Sequence, residues 1–377
     1  MKQEKVTGLV RKIFISAFAI LALFGIMPGK EEQEYTPSSS NPPVFSHIID
    51  VKAQDSTKDA DSIYVLMQGT TAPVFPDIAA QSAAVISADT AEAVFLKNAD
   101  ARLPMASTTK IMTALVAMEA LNPDTVFTVP REVCFVEGSS IYLSPGEKIT
   151  VLDLLYGLLL ESGNDAACAL AVACSSDIDS FVALMNKKAA EMRLVNTHFD
   201  NPHGLSSENH YTTARELAII AYYAMKNPLF REIAGTKSHT VRGENGEPVK
   251  YFSNHNRMLS TYSGATGIKT GYTIASGRCL VTSAKRDGSE FIAITLNDRS
   301  DFRDHAAMLD TAFENYRSAT LVSEGQISGF FGSRVMENAE ATVLLEQKSD
   351  NPGKRNFTVT LSESRRDRLP HFDIHEN

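Results

Sequence analysis

What the chain lacks closes off several classes of function. It carries no basic excess: 36 Lys and Arg stand against 45 Asp and Glu, a net charge of −9. No basic stripe of the kind nucleic-acid binders use is present, so no nucleic-acid partner is expected. Cysteine is scarce, with four in 377 residues. None precedes Cys134, which argues against a lipoprotein anchor. Cys168 and Cys174 share one predicted helix and lie about 9 Å apart along its axis, too far to bridge. The spacing of Cys134, Cys168, Cys174 and Cys279 matches no zinc pattern, so buried free thiols are expected. No His-Glu-x-x-His arrangement links His198, His203, His210 and His255. They read as polar loop or core residues, and neither metal nor cofactor is expected. No internal repeat is found.

What is present fits a folded protein of ordinary composition. Apolar residues make up 44% and charged residues 21%, and at about 150 residues per domain the length predicts two or three domains. Lys2, Lys5, Arg11 and Lys12 precede an apolar run from Ile13 to Met27, the charge-then-apolar order of an export signal. As a helix this run spans about 22 Å, short of a hydrocarbon core about 30 Å thick. A signal peptide over residues 1–29 is therefore the expectation. With no small-x-small cleavage site after the run, an uncleaved anchor attaching the protein to a membrane is the alternative. Residues 30–80, with Thr36-Pro37-Ser38 and Asn41-Pro42-Pro43, have a composition that buries little. They read as a tether with a span of about 40 Å.

Folded sequence is expected from about Ser82. Ala84–Ser87 and Ala93–Leu96 flank Asp89-Thr90-Ala91-Glu92 as a hairpin. Ile111, Met112, Leu115, Val116 and Met118 have helical spacing. They predict a helix from about Ser107 that stops before Asn122-Pro123. Val151–Leu160 and Asp165–Ala173 read as buried helices separated by the break Ser162-Gly163-Asn164. Cys279–Ala284 and Glu290–Leu296 form a second strand pair across Asp287-Gly288, the strong hairpin dipeptide. A helix follows from about Asp301 to Arg317. Strands at both ends with helices between predict an α/β fold with an antiparallel sheet over residues 81–318. Residues 319–377 read as a small β-rich appendage, with strands at Ala341–Leu345 and Phe357–Leu361.

Three short motifs carry chemistry. In Ser107-Thr108-Thr109-Lys110, a helix start puts Ser107 and Lys110 one turn apart on one face. A serine hydroxyl needs a base within hydrogen-bond reach to attack, and a desolvated lysine among other cations can lose its proton and serve. The helix N-terminus favours negative charge developing near Ser107. Alone, this spacing arises by chance. Lys269-Thr270-Gly271 is rarer: a lysine beside a hydroxyl can hold a carboxylate by charge and hydrogen bond. The glycine lets a substrate lie against the strand. Between them a Ser-x-Asn is expected. Ser39-Ser40-Asn41 lies in the tether, Ser349-Asp350-Asn351 follows Lys269, and Ser207-Glu208-Asn209 is the serious rival. Ser162-Gly163-Asn164 is preferred because a tight break between buried helices holds two polar side chains rigidly toward a cleft.

This set is the one found in β-lactamases and penicillin-binding proteins. Longer blocks extend the match: Pro104 to Thr113, Leu158 to Ala167, Asn201-Pro202-His203-Gly204-Leu205, and Gly267 to Thr273. From about Ser82 to Arg317 the chain resembles the low-molecular-mass penicillin-binding proteins, the D-alanyl-D-alanine carboxypeptidases of peptidase family S11. The resemblance implies a DD-peptidase/β-lactamase-like domain, an antiparallel sheet flanked by helices with a helical subdomain. It implies a substrate, the peptidoglycan stem peptide ending in D-Ala-D-Ala, and β-lactams as covalent inhibitors. It implies that Ser107 is acylated, Lys110 takes its proton, and Ser162 relays a proton to the leaving D-alanine. Asn164 would hold the substrate amide, Lys269 and Thr270 its carboxylate, and Gly271 would lie under it. Backbone N–H groups of Ser107 and Tyr272 would form the oxyanion hole.

The family usually has a longer C-terminal domain ending in an amphipathic helix. Here the tail runs Arg365-Arg366-Asp367-Arg368-Leu369-Pro370 without an apolar face, so any membrane attachment is expected at the N-terminus. Two rivals share the fold. A class A-like β-lactamase needs a water-activating glutamate, and Glu191 to Asn196 is one residue out of register for it. A non-catalytic β-lactam or muropeptide sensor would be expected to carry a signalling domain or several membrane spans.

Overall fold

The computed structural model describes residues 48–51, 63–68, 73–243, 245–322, 343–348 and 354–361. The export segment 1–29 and the Arg365–Arg368 patch lie outside them. Two units are distinct, one formed by Pro73–Tyr316 and one that joins segments of the first 72 residues with residues from Arg317 onward.

In the second of these, within residues 30–80 where a tether is expected, lie two strands, β1 (Ile48–Val51) and β2 (Ile63–Gln68). Both are short, mostly apolar runs, Ile-Ile-Asp-Val and Ile-Tyr-Val-Leu-Met-Gln, inside a polar stretch, so an average over the whole segment hides them. Their partners come from the far end of the chain: β1 lies parallel to Lys354–Leu361, and β2 pairs with Tyr316–Val322.

In the unit Pro73–Tyr316, β3 (Ser82–Ser87) and β4 (Ala93–Lys97) form the first hairpin. A 3-10 turn, Ala106–Thr109, leads into α1 (Lys110–Ala120). The helix begins later than its apolar spacing suggests, for a local reason. Thr108 Oγ1 donates to the Met105 carbonyl at 2.6 Å and Thr109 Oγ1 to that of Ala106 at 2.7 Å, tightening the first turn. A small ribbon, β5 (Val126–Thr128) with β6 (Lys148–Thr150), feeds α2 (Val151–Leu159). Thr150 caps α2 by accepting from the Asp153 N–H at 3.0 Å. Next come α3 (Asn164–Ser175) and α4 (Ile178–Glu191), the latter capped by Asp177. Then α5 (Ala214–Lys226), capped by Thr213, is followed by α6 (Pro228–Gly235), capped by Asn227 with Pro228 in its first turn. A second ribbon, β7 (Ser238–Arg242) and β8 (Pro248–Ser253), follows. The chain then returns to the main sheet through β9 (Ala265–Thr273), β10 (Gly277–Arg286) and β11 (Ser289–Leu296). A final helix, α7 (Asp301–Asn315), closes the unit. The other unit continues with β12 (Tyr316–Val322), β13 (Val343–Lys348) and β14 (Lys354–Leu361), with β13 antiparallel to β14.

The main sheet has the order β4-β3-β11-β10-β9, every pair antiparallel. Asp287 and Gly288 turn β10 into β11 with φ of 48° and 84°, the left-handed pair that a tight hairpin requires. All eight residues of β11 are buried, and α5 and α7 both pack on it. α1 contacts α2, α3, α4 and α5, so it is the pivot between the sheet and the helical subdomain. Leu154, Leu155, Leu158, Leu159 and Leu160 are at most 1% exposed. Burial of each contributes about 1.5–3 kcal/mol, which makes this subdomain a rigid backing for the break after α2. The two ends of the chemistry therefore sit on separate supports: Ser107 on the pivot helix, Lys269 on the sheet's edge strand.

Lys269-Thr270-Gly271 lies within β9, paired residue by residue with Val281, Leu280 and Cys279. The expectation of buried thiols changes in part. All four cysteines are free, but only Cys168 and Cys279 are buried; Cys134 and Cys174 are half-buried. Among the described residues no single helix is long and apolar enough to cross a membrane.

Candidate active site

Ser107 sits where α1 meets the sheet. The residue before it, Ala106, has φ +48°, a conformation an alanine adopts only where its surroundings enforce it. One turn on, Lys110 has no exposed surface. Its Nζ lies 2.9 Å from Ser107 Oγ, 2.7 Å from Asn164 Oδ1 and 2.6 Å from the His203 carbonyl oxygen. Burial, and next the charge of Lys269, hold the Lys110 amine well below the ordinary lysine range, against weaker opposition from Cys168 and Asp165. Three oxygens thus stand within hydrogen-bond reach of Nζ, one for each donor of an ammonium. Once it loses a proton, two N–H groups can still donate to the Asn164 and His203 oxygens, and a lone pair is free to accept from the Ser107 hydroxyl.

Asn164 opens α3. Its Nδ2 donates to the Glu137 carbonyl at 2.6 Å and its backbone N–H to that of Ser139 at 2.7 Å. The loop it grips is fixed from below by Asp165, fully buried, which accepts from Ser140 Oγ at 2.6 Å and from the N–H groups of Ile141 and Leu143 at 3.0 Å each. Gly138 must be a glycine: its φ is +95°, and a Cβ there would stand 2.7 Å from Asn164 Nδ2. Ser162, in the break itself, is 5% exposed and has φ +63°.

On the opposite support, Lys269 is 1% exposed and donates to the Thr270 carbonyl at 2.9 Å. Burial pushes its amine down to about 7. Gly271 lies against the nucleophile turn, where a Cβ would meet the Ser107 and Thr108 nitrogens at 3.0 and 3.1 Å. Thr270 is half-buried and Tyr272 is 65% exposed.

The geometry brings Ser107, Lys110 and Asn164 into direct contact, with Ser162 two residues from Asn164 and Gly271 against Ser107. The rival tripeptide is placed elsewhere. Ser207 Oγ and the Asn209 N–H both bond the Asp200 carboxylate on an exposed loop. Ser39–Asn41 and Ser349–Asn351 lie outside the described residues. Glu191, the out-of-register glutamate, ends α4 and pairs with Lys187 and Lys188. Asn254 Nδ2 bonds the Ala234 and Thr236 carbonyls, and its Oδ1 accepts from the Asn256 N–H. Those bonds pin the turn after β8. Among the described residues no group of three His, Cys, Asp or Glu is placed to hold a metal ion.

Sequence reasoning assigned no role to the loop Asn201–Leu205, yet it supplies the third contact of Lys110. Asn201 Oδ1 accepts from the Gly204 N–H at 2.7 Å and its Nδ2 donates to the Leu205 carbonyl at 2.9 Å, holding the His203 carbonyl toward the amine. Gly204, at φ +94°, packs so closely that a Cβ would lie 1.9 Å from the Ala106 carbonyl oxygen. The block Asn-Pro-His-Gly-Leu was a visible signal; that it acts through a backbone carbonyl was not.

A serine hydroxyl against a buried lysine amine, at a helix start beside an open sheet edge, defines a serine acyl-transfer site that uses lysine where other serine enzymes use histidine. The comparisons agree with that class. The family model for D-alanyl-D-alanine carboxypeptidase matches residues 68–300, and the chain belongs to that family, peptidase family S11. It is 38% identical over 255 residues to the D-alanyl-D-alanine carboxypeptidase DacF of Bacillus subtilis (strain 168), covering 66% of this chain and 65% of that protein. It is 39% identical over 246 residues to the D-alanyl-D-alanine carboxypeptidase of Streptomyces sp. (strain K15), covering 61% of this chain and 84% of the other. The crystal structure of the Streptomyces K15 DD-transpeptidase superposes with a TM-score of 0.61 at 36% identity, covering 64% of this chain and 99% of that one. The D-alanyl-D-alanine carboxypeptidase from Mycobacterium tuberculosis H37Rv gives 0.62 at 32% identity, covering 66% and 96%.

Proposed function

We propose that this protein is a serine-type D-Ala-D-Ala carboxypeptidase that removes the terminal D-alanine from peptidoglycan pentapeptide stems. The observation that carries the reading is the fully buried Lys110 Nζ placed 2.9 Å from Ser107 Oγ, within the reach a base needs to take the serine proton. Ser107 attacks the carbonyl of the penultimate D-alanine, and its proton passes to Lys110. The oxyanion is held by the backbone N–H groups of Ser107 and Tyr272, a contribution of several kcal/mol in sites of this kind. The proton then reaches the nitrogen of the departing D-alanine through Ser162, the C–N bond breaks, and an ester on Ser107 remains. Water hydrolyses that ester, releasing the shortened peptide and restoring the hydroxyl. Asn164 steers the substrate amide as well as Lys110. Lys269 and Thr270 bind the terminal carboxylate, with Gly271 leaving room for the peptide beside the strand.

β-Lactams follow the same path to the ester. Their leaving nitrogen stays tethered in the opened ring and obstructs water, so they inhibit covalently. The charged-then-apolar N-terminus supports action outside the cytoplasm, with the same segment as the attachment if the protein stays at a membrane. A second reading, transfer of the acyl group to an amine instead of water, is favoured by the likeness to a protein described as a DD-transpeptidase. Product analysis with a pentapeptide ending in D-Ala-D-Ala, with and without an acceptor amine, tests both. One D-alanine released per peptide, with the tetrapeptide as sole product when no amine is present, is the expected outcome. No release by folded protein contradicts it.

A further inference from the structure

The other face of the nucleophile turn holds a buried polar chain that the reaction above does not use. His210 is 2% exposed. Its Nδ1 accepts from the backbone N–H of Asp200 at 3.0 Å, and its Nε2 lies 2.7 Å from Thr109 Oγ1. Because Nδ1 is an acceptor, the neutral ring carries its proton on Nε2 and donates it to the threonine oxygen. Burial pushes the His210 imidazole down to about 4, in keeping with a neutral ring. The Thr109 hydroxyl proton is then committed to the Ala106 carbonyl oxygen, 2.7 Å away. Every link donates in one direction, so each bond strengthens the next.

The end of that chain is the informative part. The Ala106 carbonyl and the Ser107 N–H are the two ends of one rigid peptide plane. Among the described residues nothing accepts from the Ser107 N–H. The plane is held in a strained setting, with Ala106 at φ +48°. Its carbonyl oxygen is clamped on one side by the Thr109 hydroxyl and on another by the close approach of Gly204. Hydrogen bonding to the oxygen of a peptide draws electron density from its nitrogen and makes the N–H a stronger donor.

We propose that His210 and Thr109 are positioning residues for the oxyanion hole, orienting and polarising the Ser107 N–H through the Ala106 carbonyl. The inference rests on the acyl-transfer reading and adds two residues to it. Neither touches substrate: their effect reaches the reaction only through one peptide plane. It should therefore be felt where charge develops on the substrate oxygen, not in initial binding.

The test is single-turnover acylation of the full chain by a penicillin labelled with carbon-13 at the β-lactam carbonyl. It resolves the acylation rate constant from the binding constant. The infrared band of the resulting ester carbonyl is a second readout. Thr109→Val keeps shape and removes the hydroxyl; His210→Phe keeps a ring and removes both nitrogens. Either should lower the acylation rate constant about tenfold, well short of the loss seen when an oxyanion donor is removed outright. Binding should be unchanged, and the ester band should move to higher wavenumber as its hydrogen bond weakens. Thr109→Ser should restore rate and band together. The proposal is overturned if Thr109→Val leaves both where they were, or if rate and binding fall together with the band unmoved. Should Thr109→Val fail to fold, His210→Phe decides on the same two readouts. Wild-type protein that forms no ester at all would sink the enzyme reading instead.

Discussion

At the residue scale, the proposed reaction turns on two buried lysines, and it needs them in opposite protonation states. Lys110 must be neutral to accept the Ser107 proton, and its amine is held low first by burial and then by Lys269. Lys269 must be charged to attract a carboxylate, and burial alone brings it to about 7. A lowered lysine is charged below its pKa and neutral above it. Carboxylate capture is therefore lost as pH rises through about 7, while the Lys110 base is gained as pH rises through a range well below that of an ordinary lysine. Lys269→Ala should lower kcat/KM for substrates with a free C-terminal carboxylate by about 10- to 150-fold, equivalent to about 1.5–3 kcal/mol for a charge-assisted bond. It should change the matching C-terminal amide little. With the amide, the acid limb of the profile should also move to higher pH, because the charge depressing Lys110 is gone. Equal losses on acid and amide, or an acid limb that stays put, would remove Lys269 from this role.

Two elements meet at the site, the head of α3 and the loop before β6, and their join depends on Asp165. Its carboxylate takes three bonds from Ser140, Ile141 and Leu143, and the same loop is gripped by Asn164. Asp165→Ala leaves those donors unsatisfied in the interior, each worth about 1–3 kcal/mol. Stability should drop by about 3 kcal/mol or more in denaturant titration, and acylation should slow as Asn164 loses its support. A stability change below about 1 kcal/mol would mean the loop is held by something else. This is also where legibility in the sequence ran out. Helix spacing, the Asp287-Gly288 turn and the Ser162–Asn164 break were readable because each is a local signal. The contacts of Asp165, the His203 carbonyl and the Gly204–Ala106 approach join positions tens of residues apart, and a carbonyl oxygen belongs to every residue type. Strands β1 and β2 were hidden for a different reason: their partners lie at the other end of the chain, and their neighbours are polar.

Across the whole molecule, every proposed catalytic and binding residue falls within Pro73–Tyr316. The structure of the Streptomyces K15 protein covers 99% of its own chain with a match to about two thirds of this one. A protein comprising residues 73–318 should therefore fold alone, with a single cooperative thermal transition, and be acylated by penicillin at the full-length rate. A molten or unreactive fragment would make the second unit part of the working fold. The most direct test of the central claim uses the full chain. Penicillin should form an ester on Ser107 that persists for minutes or longer, because Glu191 is engaged with Lys187 and Lys188 at a helix end and no dedicated base is assigned to deacylation. Intact-protein mass spectrometry after mixing should show one adduct per chain, absent from Ser107→Ala. Rapid penicillin turnover with no adduct would make the protein a β-lactamase, and folded protein showing neither adduct nor turnover would make it a sensor; either result contradicts the carboxypeptidase account.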